Sequence, residues 1–120
     1  MSLYDLLGGE DAISHVVADF YDRVSAHDVT AKWFTKVDPV TLQQHLRAYL
    51  AVALGGPELY SGRSMRNAHS KLHVTREAFD IVLGCFAQAL AARGVAAGII
   101  KQVDARLGSL RAVVVTAHRA

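Results

Sequence analysis

Apolar residues recur every three to four positions in four stretches of the chain, which is the spacing expected of amphipathic helices. The first stretch runs from about Asp11 to Ala26, and its apolar positions are Ile13, Val16, Val17, Phe20, Tyr21 and Val24. The second follows Asp38 and Pro39, which suit an N-cap and a first helical position. It stops at Gly55-Gly56-Pro57, and its apolar positions are Leu42, Leu46, Tyr49, Leu50 and Ala53.

Two further helices are predicted in the second half of the chain. Thr75 is the predicted N-cap of the third, Gly94 lies beyond its end, and its apolar face is Phe79, Val82, Leu83, Phe86 and Leu90. The fourth carries Ile100, Val103, Leu107, Leu110 and Val114. The β-branched run 113–115 keeps the phase of this helix, so it is predicted to be helical. Because strand-like alternation is otherwise absent, we expect an all-α fold and a single domain over residues 1–120.

Composition excludes several classes of protein. A length of 120 residues with 52% hydrophobic residues suits one domain with a sizeable core. The net charge of +2 comes from scattered cations, so we expect no nucleic-acid partner. Cys85 is the sole cysteine; it is expected to be a small buried thiol, and it excludes an internal disulfide. No signal peptide and no membrane-length apolar run are visible, so we expect a cytoplasmic protein with no membrane partner.

His69 is the residue with the most distinctive chemistry. It shares one helical face with Met65, Ala68 and Leu72, so its imidazole must find a partner among apolar neighbours. One such partner is the iron of a buried porphyrin, and the other is a backbone carbonyl in an ordinary core. For a histidine considered alone the second explanation is the commoner, so the surrounding motifs have to decide.

Those motifs, in their order and spacing, resemble the group I (N-type) truncated haemoglobins. The matching segments are Leu3–Gly9, Phe20–Val24, Trp33–Phe34, Ala53–Pro57, Tyr60–Met65 and Ala68–His69. Each motif alone is weak, but together they run from about Ser2 to about Val115 and are specific. The resemblance implies a truncated globin, in which two antiparallel helix pairs form a two-over-two sandwich around haem b.

The resemblance also implies roles for individual residues. His69 would be the proximal iron ligand, Arg63 the first candidate for binding a haem propionate, and Phe34 a ring packed against the porphyrin. Further apolar residues would form the wall of the haem pocket: Met65, Leu72, Phe79, Val82 and Phe86. Tyr21 would donate a hydrogen bond to bound dioxygen, and the alternative for it is a core tyrosine whose hydroxyl bonds a backbone carbonyl.

The second predicted helix departs from the family pattern. Relatives often place glutamine at one or both positions facing the ligand, whereas this chain has Leu42 and Leu46 there. His45 shares their face, and two roles stay open for it: a sixth iron ligand, or a residue at the pocket rim that bonds a propionate or water. Ala112 stands where some relatives attach haem through a late histidine, so we expect noncovalent haem.

Two functions follow from the resemblance as expectations. The first is reversible binding of dioxygen, nitric oxide and carbon monoxide, with oxygen transport or conversion of nitric oxide to nitrate as its use. That conversion needs an electron donor, here an unidentified reductase. The alternative is a non-enzymatic gas-sensing, redox-sensing or electron-transfer module in which His45 binds the iron. A cofactor-free interaction domain would leave His69 unexplained. We expect a monomer.

Overall fold

A computed structural model describes residues 2–34, 37–55, 74–109 and Val115. These residues form helices and no strand. In chain order the helices are α1 (Leu3–Leu7), α2 (Gly9–Ala26), α3 (Ala31–Phe34), α4 (Pro39–Ala53), α5 (Arg76–Ala92) and α6 (Ala97–Gly108). No helix in these ranges is both long and apolar enough to cross a bilayer.

The predicted helix starts are confirmed by their capping bonds. The Asp38 carboxylate accepts from the backbone N–H of Thr41 at 3.2 Å, and Pro39 is the first residue of α4. The Thr75 hydroxyl accepts from the N–H of Ala78 at 3.0 Å and so caps α5. These side chains supply acceptors that the first turn of a helix lacks within itself.

Two short helices, α1 and α3, were not predicted, because each is too short for an apolar period to show. The hydroxyl of Ser2 accepts from the N–H of Asp5 at 3.1 Å and caps α1. Gly8 ends α1 with φ +112, and a Cβ at Gly8 would lie 2.8 Å from the Cβ of Ala12. The chain therefore turns sharply from α1 into α2 at a position where only glycine fits without strain.

The C-terminal helix ends earlier than the sequence suggests. α6 stops at Gly108, and Val115 lies outside any helix, so the prediction that Val115 is helical is wrong. Val115 is 2% exposed and packs with Val74, Ala78 and Phe79. Val115 is therefore apolar because it packs in this cluster. Its spacing in the sequence also fits the apolar face of a helix, so the sequence alone could not separate the two explanations. Leu110 and Val114 lie outside the described residues.

Helix α2 is the centre of the packing. It packs against α3, α4 and α5, while α5 also packs against α6. The rings of Phe20 on α2 and Phe86 on α5 meet edge to face, with centroids 5.6 Å apart. The α2–α4 and α5–α6 pairs correspond to the two layers of the expected two-over-two arrangement.

Candidate functional site

Tyr21 links α2 to α3. Its hydroxyl donates to the backbone carbonyl of Phe34 at 3.3 Å, and the two rings lie edge to face with centroids 6.4 Å apart. Both side chains are half-buried. Because O–H···O bonds are usually 2.7–2.8 Å long, about half an ångström shorter, this one is weak. The described geometry therefore has Tyr21 in the carbonyl-bonded position, which the sequence analysis held open beside the ligand-bonded one.

Ser25 follows Tyr21 by one turn of α2 and was not singled out from the sequence. Its hydroxyl oxygen is buried and has no hydrogen-bond partner. The hydroxyl of a serine within a helix often bonds a nearby backbone carbonyl. The sequence therefore gave no reason to single out Ser25. Tyr21 and Ser25 together give this part of α2 one weakly bonded hydroxyl and one unbonded hydroxyl.

Leu42 and Leu46 lie on α4, and both are half-buried. Leu46 packs against the main core, while Leu42 lines a surface cavity of about 230 Å³. The other lining residues of this cavity are Val37, Asp38, Thr41 and His45. The cavity is therefore lined by two apolar and three polar side chains, and Leu42 is its apolar contribution from α4.

His45 is exposed although it lines the same cavity as Leu42. Its helical phase suggested a position turned inward between Leu42 and Tyr49, but the side chain lies at the surface. Tyr49 is half-buried. This location is the one expected of a rim residue, and a role as sixth ligand would require the imidazole to move inward.

The α5 residues proposed as pocket walls fall into two clusters. Phe86 is buried in the main core against Phe20, and Val82 is half-buried at the edge of that core. Phe79 is buried in a second cluster with Val74, Ala78 and Val115. Leu83 packs against both clusters. Because Val82 and Leu83 are only half-buried, α5 presents apolar surface that is not yet fully covered.

Four of the predicted site residues lie outside the described residues: Arg63, Met65, His69 and Leu72. The same holds for Ala112. Their roles in binding iron, propionate or porphyrin therefore stay predictions. The described ranges contain no group of three histidine, cysteine or carboxylate side chains that could hold a metal ion.

Two ionisable groups have shifted pKa values in the described residues. Hydrogen bonds from the Thr41 side chain and backbone lower the pKa of Asp38 below 3.8. Burial raises the pKa of the Cys85 thiol, and Cys85 lies in the main core, which confirms the prediction of a small buried thiol. His15 and His27 are exposed, and His15 Nδ1 lies 2.8 Å from the carbonyl oxygen of Asp11.

The chemistry of these side chains fits a haem group. A porphyrin needs a broad apolar surface, and three helices place a half-buried apolar side chain against the main core: Phe34, Leu46 and Val82. A gas bound to the iron needs only a few polar groups on its side of the pocket. Tyr21 can be one of them, because its hydroxyl is held only by a weak bond to Phe34. The fold and these side chains define a truncated globin.

Comparison with known proteins gives the same class. The bacterial-like globin family matches residues 2–116, so the chain belongs to that family. It is 33% identical to the group 1 truncated hemoglobin GlbN of Mycolicibacterium paratuberculosis, over 96% of this chain and 85% of that protein. It is 36% identical to the GlbN of a Synechocystis species, over 90% of each chain.

Solved structures agree with the fold. The truncated hemoglobin of Tetrahymena pyriformis in its Fe(III) form superimposes with a TM-score of 0.92 at 27% identity, covering 95% of this chain and 97% of that one. The 2/2 hemoglobin of a Synechococcus species, in the cyanomet state with covalently attached heme, gives 0.87 at 29% identity and covers 99% and 100%. The prediction of a group I truncated globin with a two-over-two fold is thus confirmed. Proteins of this family bind haem and diatomic gases.

Proposed function

We propose that this protein holds haem b noncovalently through His69 and reversibly binds dioxygen and other diatomic gases. The observation that carries the proposal is the environment of the Tyr21 side chain. The Tyr21 hydroxyl is weakly bonded to the Phe34 carbonyl, and its helix packs against α4 with the half-buried Leu42 and Leu46. Apolar surroundings with few available donors suit a small, weakly polar gas.

Haem, when bound, supplies the iron at which such a gas coordinates. The protein holds the group through His69, and Arg63 offers its guanidinium to a propionate. In this proposal Phe34 and Val82 pack against the porphyrin, and Phe79 and Phe86, which are buried in the two clusters, belong to the same wall. Met65 and Leu72 complete the wall in this proposal. Together these side chains exclude water, which would otherwise compete for the iron and promote its oxidation.

Tyr21 is the proposed donor to the ligand. Its hydroxyl gives up the 3.3 Å bond to Phe34 and donates instead to the partly negative outer atom of the gas. Leu42 and Leu46 have no polar atoms on their side chains, so they can neither replace this bond nor compete for it. Tyr21 therefore controls how long dioxygen stays.

His45 acts at the rim in this proposal. Its exposed imidazole beside Thr41 and Asp38 supports a bond to propionate or water more readily than one to iron. We accordingly expect a ferrous protein that is mainly five-coordinate, with a minor His45-bound fraction more evident in the ferric state.

The reaction proposed for this site is nitric oxide dioxygenation. Nitric oxide, dioxygen and one electron combine to give nitrate, so each turnover needs an electron from outside the protein. An unidentified reductase would supply it. We propose that the protein works as a monomer in the cytoplasm, where such reductases are available. Without a reductase, the same site would serve oxygen binding alone.

Haemin titration followed by optical spectroscopy tests the proposal. We expect binding of one haemin per chain, extraction of the group into acidic organic solvent, and a high-spin five-coordinate ferrous spectrum. Haem that resists extraction would contradict noncovalent binding. A protein that refuses haemin would contradict the whole proposal, and a low-spin six-coordinate ferrous spectrum would favour the sensing or electron-transfer alternative. Consumption of nitric oxide by the oxygenated protein, with nitrate as product, tests the reaction.

A further inference from the structure

A cavity between three helices has described lining residues that differ from those proposed to bind haem. Its volume is about 200 Å³, and residues of α1, α2 and α4 line it. Tyr4, Ile13 and Ala51 belong to the buried main core, and Ala48 is half-buried on α4. Because the two alanine side chains are short, α4 leaves room here beside α2. The covered part of the cavity wall is therefore mostly apolar.

Three polar side chains complete the described lining of this cavity. Glu10 on α2 and Gln44 on α4 are exposed, and Arg47 on α4 is half-buried. In the part of the chain that the structure describes, none of the three makes a hydrogen bond or an ion pair. A carboxylate and a guanidinium thus lie at one cavity, on two helices that pack against each other, without binding each other. Both groups keep their hydrogen-bonding capacity for a third molecule.

The two opposite charges restrict which molecule can bind between them. An anion that contacts Arg47 also faces Glu10, and a cation that contacts Glu10 also faces Arg47. A ligand with a single charge is therefore attracted on one side and repelled on the other, whereas a zwitterion meets each charge with its opposite. The guanidinium can bind a carboxylate through two parallel bonds, and the Gln44 amide can donate to it or accept from an ammonium group.

The volume restricts the size of the ligand. Sites for drug-sized molecules have volumes of about 300–1,000 Å³, so a cavity of about 200 Å³ suits a smaller one. Its apolar wall suits a ligand with a small apolar part, and Ala48 and Ala51 leave the room for it on α4. Charge, size and the apolar wall together fit a free amino acid.

We propose that the cavity between α1, α2 and α4 binds a free α-amino acid with a small apolar side chain. The carboxylate binds Arg47, the ammonium group binds Glu10, and the side chain packs against Ala48 and Ala51. The site does not depend on haem, because none of its residues has a role in the proposed function.

L-Valine and two of its derivatives test the proposal. L-Valinamide keeps the ammonium group and lacks the carboxylate, while N-acetyl-L-valine keeps the carboxylate and lacks the ammonium group. The full-length chain is reconstituted with haemin and reduced under carbon monoxide, which makes it diamagnetic. Each compound is titrated while the methyl signals of Ala48 and Ala51 are followed by NMR, with Ala89, buried on α5, as the remote reference.

We expect saturable shifts of the Ala48 and Ala51 signals with L-valine, and little change at Ala89. L-Valine should bind about three- to tenfold more tightly than either derivative, the factor for exchanging one exposed ion pair for a repulsion. Ala48→Leu fills part of the cavity and keeps both charges, so it should abolish binding of L-valine.

Two charge variants should change the selectivity in opposite directions. Glu10→Gln should weaken L-valine about three- to tenfold and strengthen N-acetyl-L-valine, whereas Arg47→Gln should weaken L-valine and strengthen L-valinamide. The matched controls are Glu77→Gln, at an exposed glutamate in the first turn of α5, and Arg76→Gln, at an exposed arginine of the same helix. Neither control should alter the affinity of any of the three compounds.

Three results would overturn the proposal. The first is the absence of saturable shifts at Ala48 and Ala51 with L-valine. The second is equal affinity for the three compounds in the parent chain and in Glu10→Gln, since the charges would then select nothing. The third is undiminished binding in Ala48→Leu, which would place the ligand elsewhere. Failure of the chain to take up haemin would instead refute the proposed function, and the same titrations of the chain without haemin would still test the cavity.

Discussion

The hydroxyl of Tyr21 is bonded to the backbone carbonyl of Phe34, 3.3 Å away, so the proposed ligand donor and the proposed porphyrin contact are tied to each other. The bond is long enough to be weak, yet the edge-to-face rings hold the phenol near α3. The donor thus starts from a defined position and loses little when it turns toward a ligand. A backbone carbonyl cannot be changed by substitution, so the tyrosine is the side that experiment can alter.

Substitution of Tyr21 by phenylalanine should speed dioxygen release about ten- to a hundredfold, since one hydrogen bond of a charge-assisted kind contributes about 1.5–3 kcal/mol. The apolar side chains of Leu42 and Leu46 leave little to compensate. Stopped-flow displacement of dioxygen by carbon monoxide measures the rate. The stability of the haem-free chain should fall by about 1 kcal/mol or less, because the bond lost there is weak.

Tyr4→Phe is the matched control for this measurement. Tyr4 is buried on α1, so the substitution removes a phenolic hydroxyl from a different helix and should leave the release rate unchanged. An unchanged rate in Tyr21→Phe would mean that Tyr21 keeps its bond to Phe34 in the liganded protein, or that His45 is the true donor.

Replacement of His69 by alanine should abolish stable haem retention. The reason is the match of His69 to the proximal motif, because a porphyrin without its axial nitrogen is held by apolar contacts alone. Haem content after gel filtration and the ferrous spectrum are the measurements. His15→Ala is the control, since His15 is exposed on α2, and His73→Ala and His118→Ala should likewise retain haem. Normal haem content in the His69 variant would remove the assignment of the iron ligand.

All four longer helices could be predicted from their apolar period, and side-chain chemistry also gave the starts of two of them. Asp38-Pro39 and Thr75 predict the starts of α4 and α5. A capping oxygen and the fixed φ of proline both favour the first turn of a helix through neighbouring residues alone. The short helix α1 has the same kind of signal in Ser2, three residues before Asp5, but no period follows it. The prediction that Val115 is helical failed because its apolar spacing reflects packing in the second cluster and not a helix.

The candidate site was only partly predictable, since residue type and helical phase do not fix exposure. Phase put His45 on the face of Leu42 and Leu46, yet an exposed imidazole at a cavity edge also satisfies that phase. Ser25 gave no signal because its buried, unpartnered hydroxyl is a property of packing.

The charge of Asp38 should make stability depend on pH at the acid end. The hydrogen bonds from Thr41 lower its pKa in the folded protein below 3.8, so the unfolded chain takes up the proton first as the pH falls. The stabilisation is therefore complete above the unfolded pKa and is lost as the pH falls through the folded one. Urea unfolding at several pH values measures it.

Asp38→Asn isolates this charge, because asparagine can still cap the helix. The variant should be less stable than the parent at neutral pH, and the difference should shrink as Asp38 becomes protonated in acid. Asp104→Asn, at an exposed carboxylate on α6, is the control and should show no such convergence. A constant difference between Asp38→Asn and the parent at all pH values would show that the carboxylate charge contributes nothing to the cap.

Carbon monoxide binding distinguishes the two roles of His45. If His45 occupies the iron when no gas is bound, the binding rate must saturate with carbon monoxide concentration, since the ligand waits for the imidazole to leave. His45→Leu would then make the rate linear in concentration and faster. If His45 lies at the rim, the binding rate in the parent should be linear in carbon monoxide concentration. His45→Leu should then leave the ferrous spectrum unchanged and alter only haem affinity or its pH dependence.

The exposed position of His45 beside Thr41 favours the rim, so we expect linear kinetics in the parent protein. Moving the imidazole to the iron would require α4 to shift, and the half-buried Leu46 packed against the core opposes such a movement. His15→Leu on α2 is the matched control for adding an exposed leucine. A parent protein with a low-spin six-coordinate ferrous spectrum, converted to high spin by His45→Leu but not by His15→Leu, would show that the imidazole reaches the iron despite these contacts.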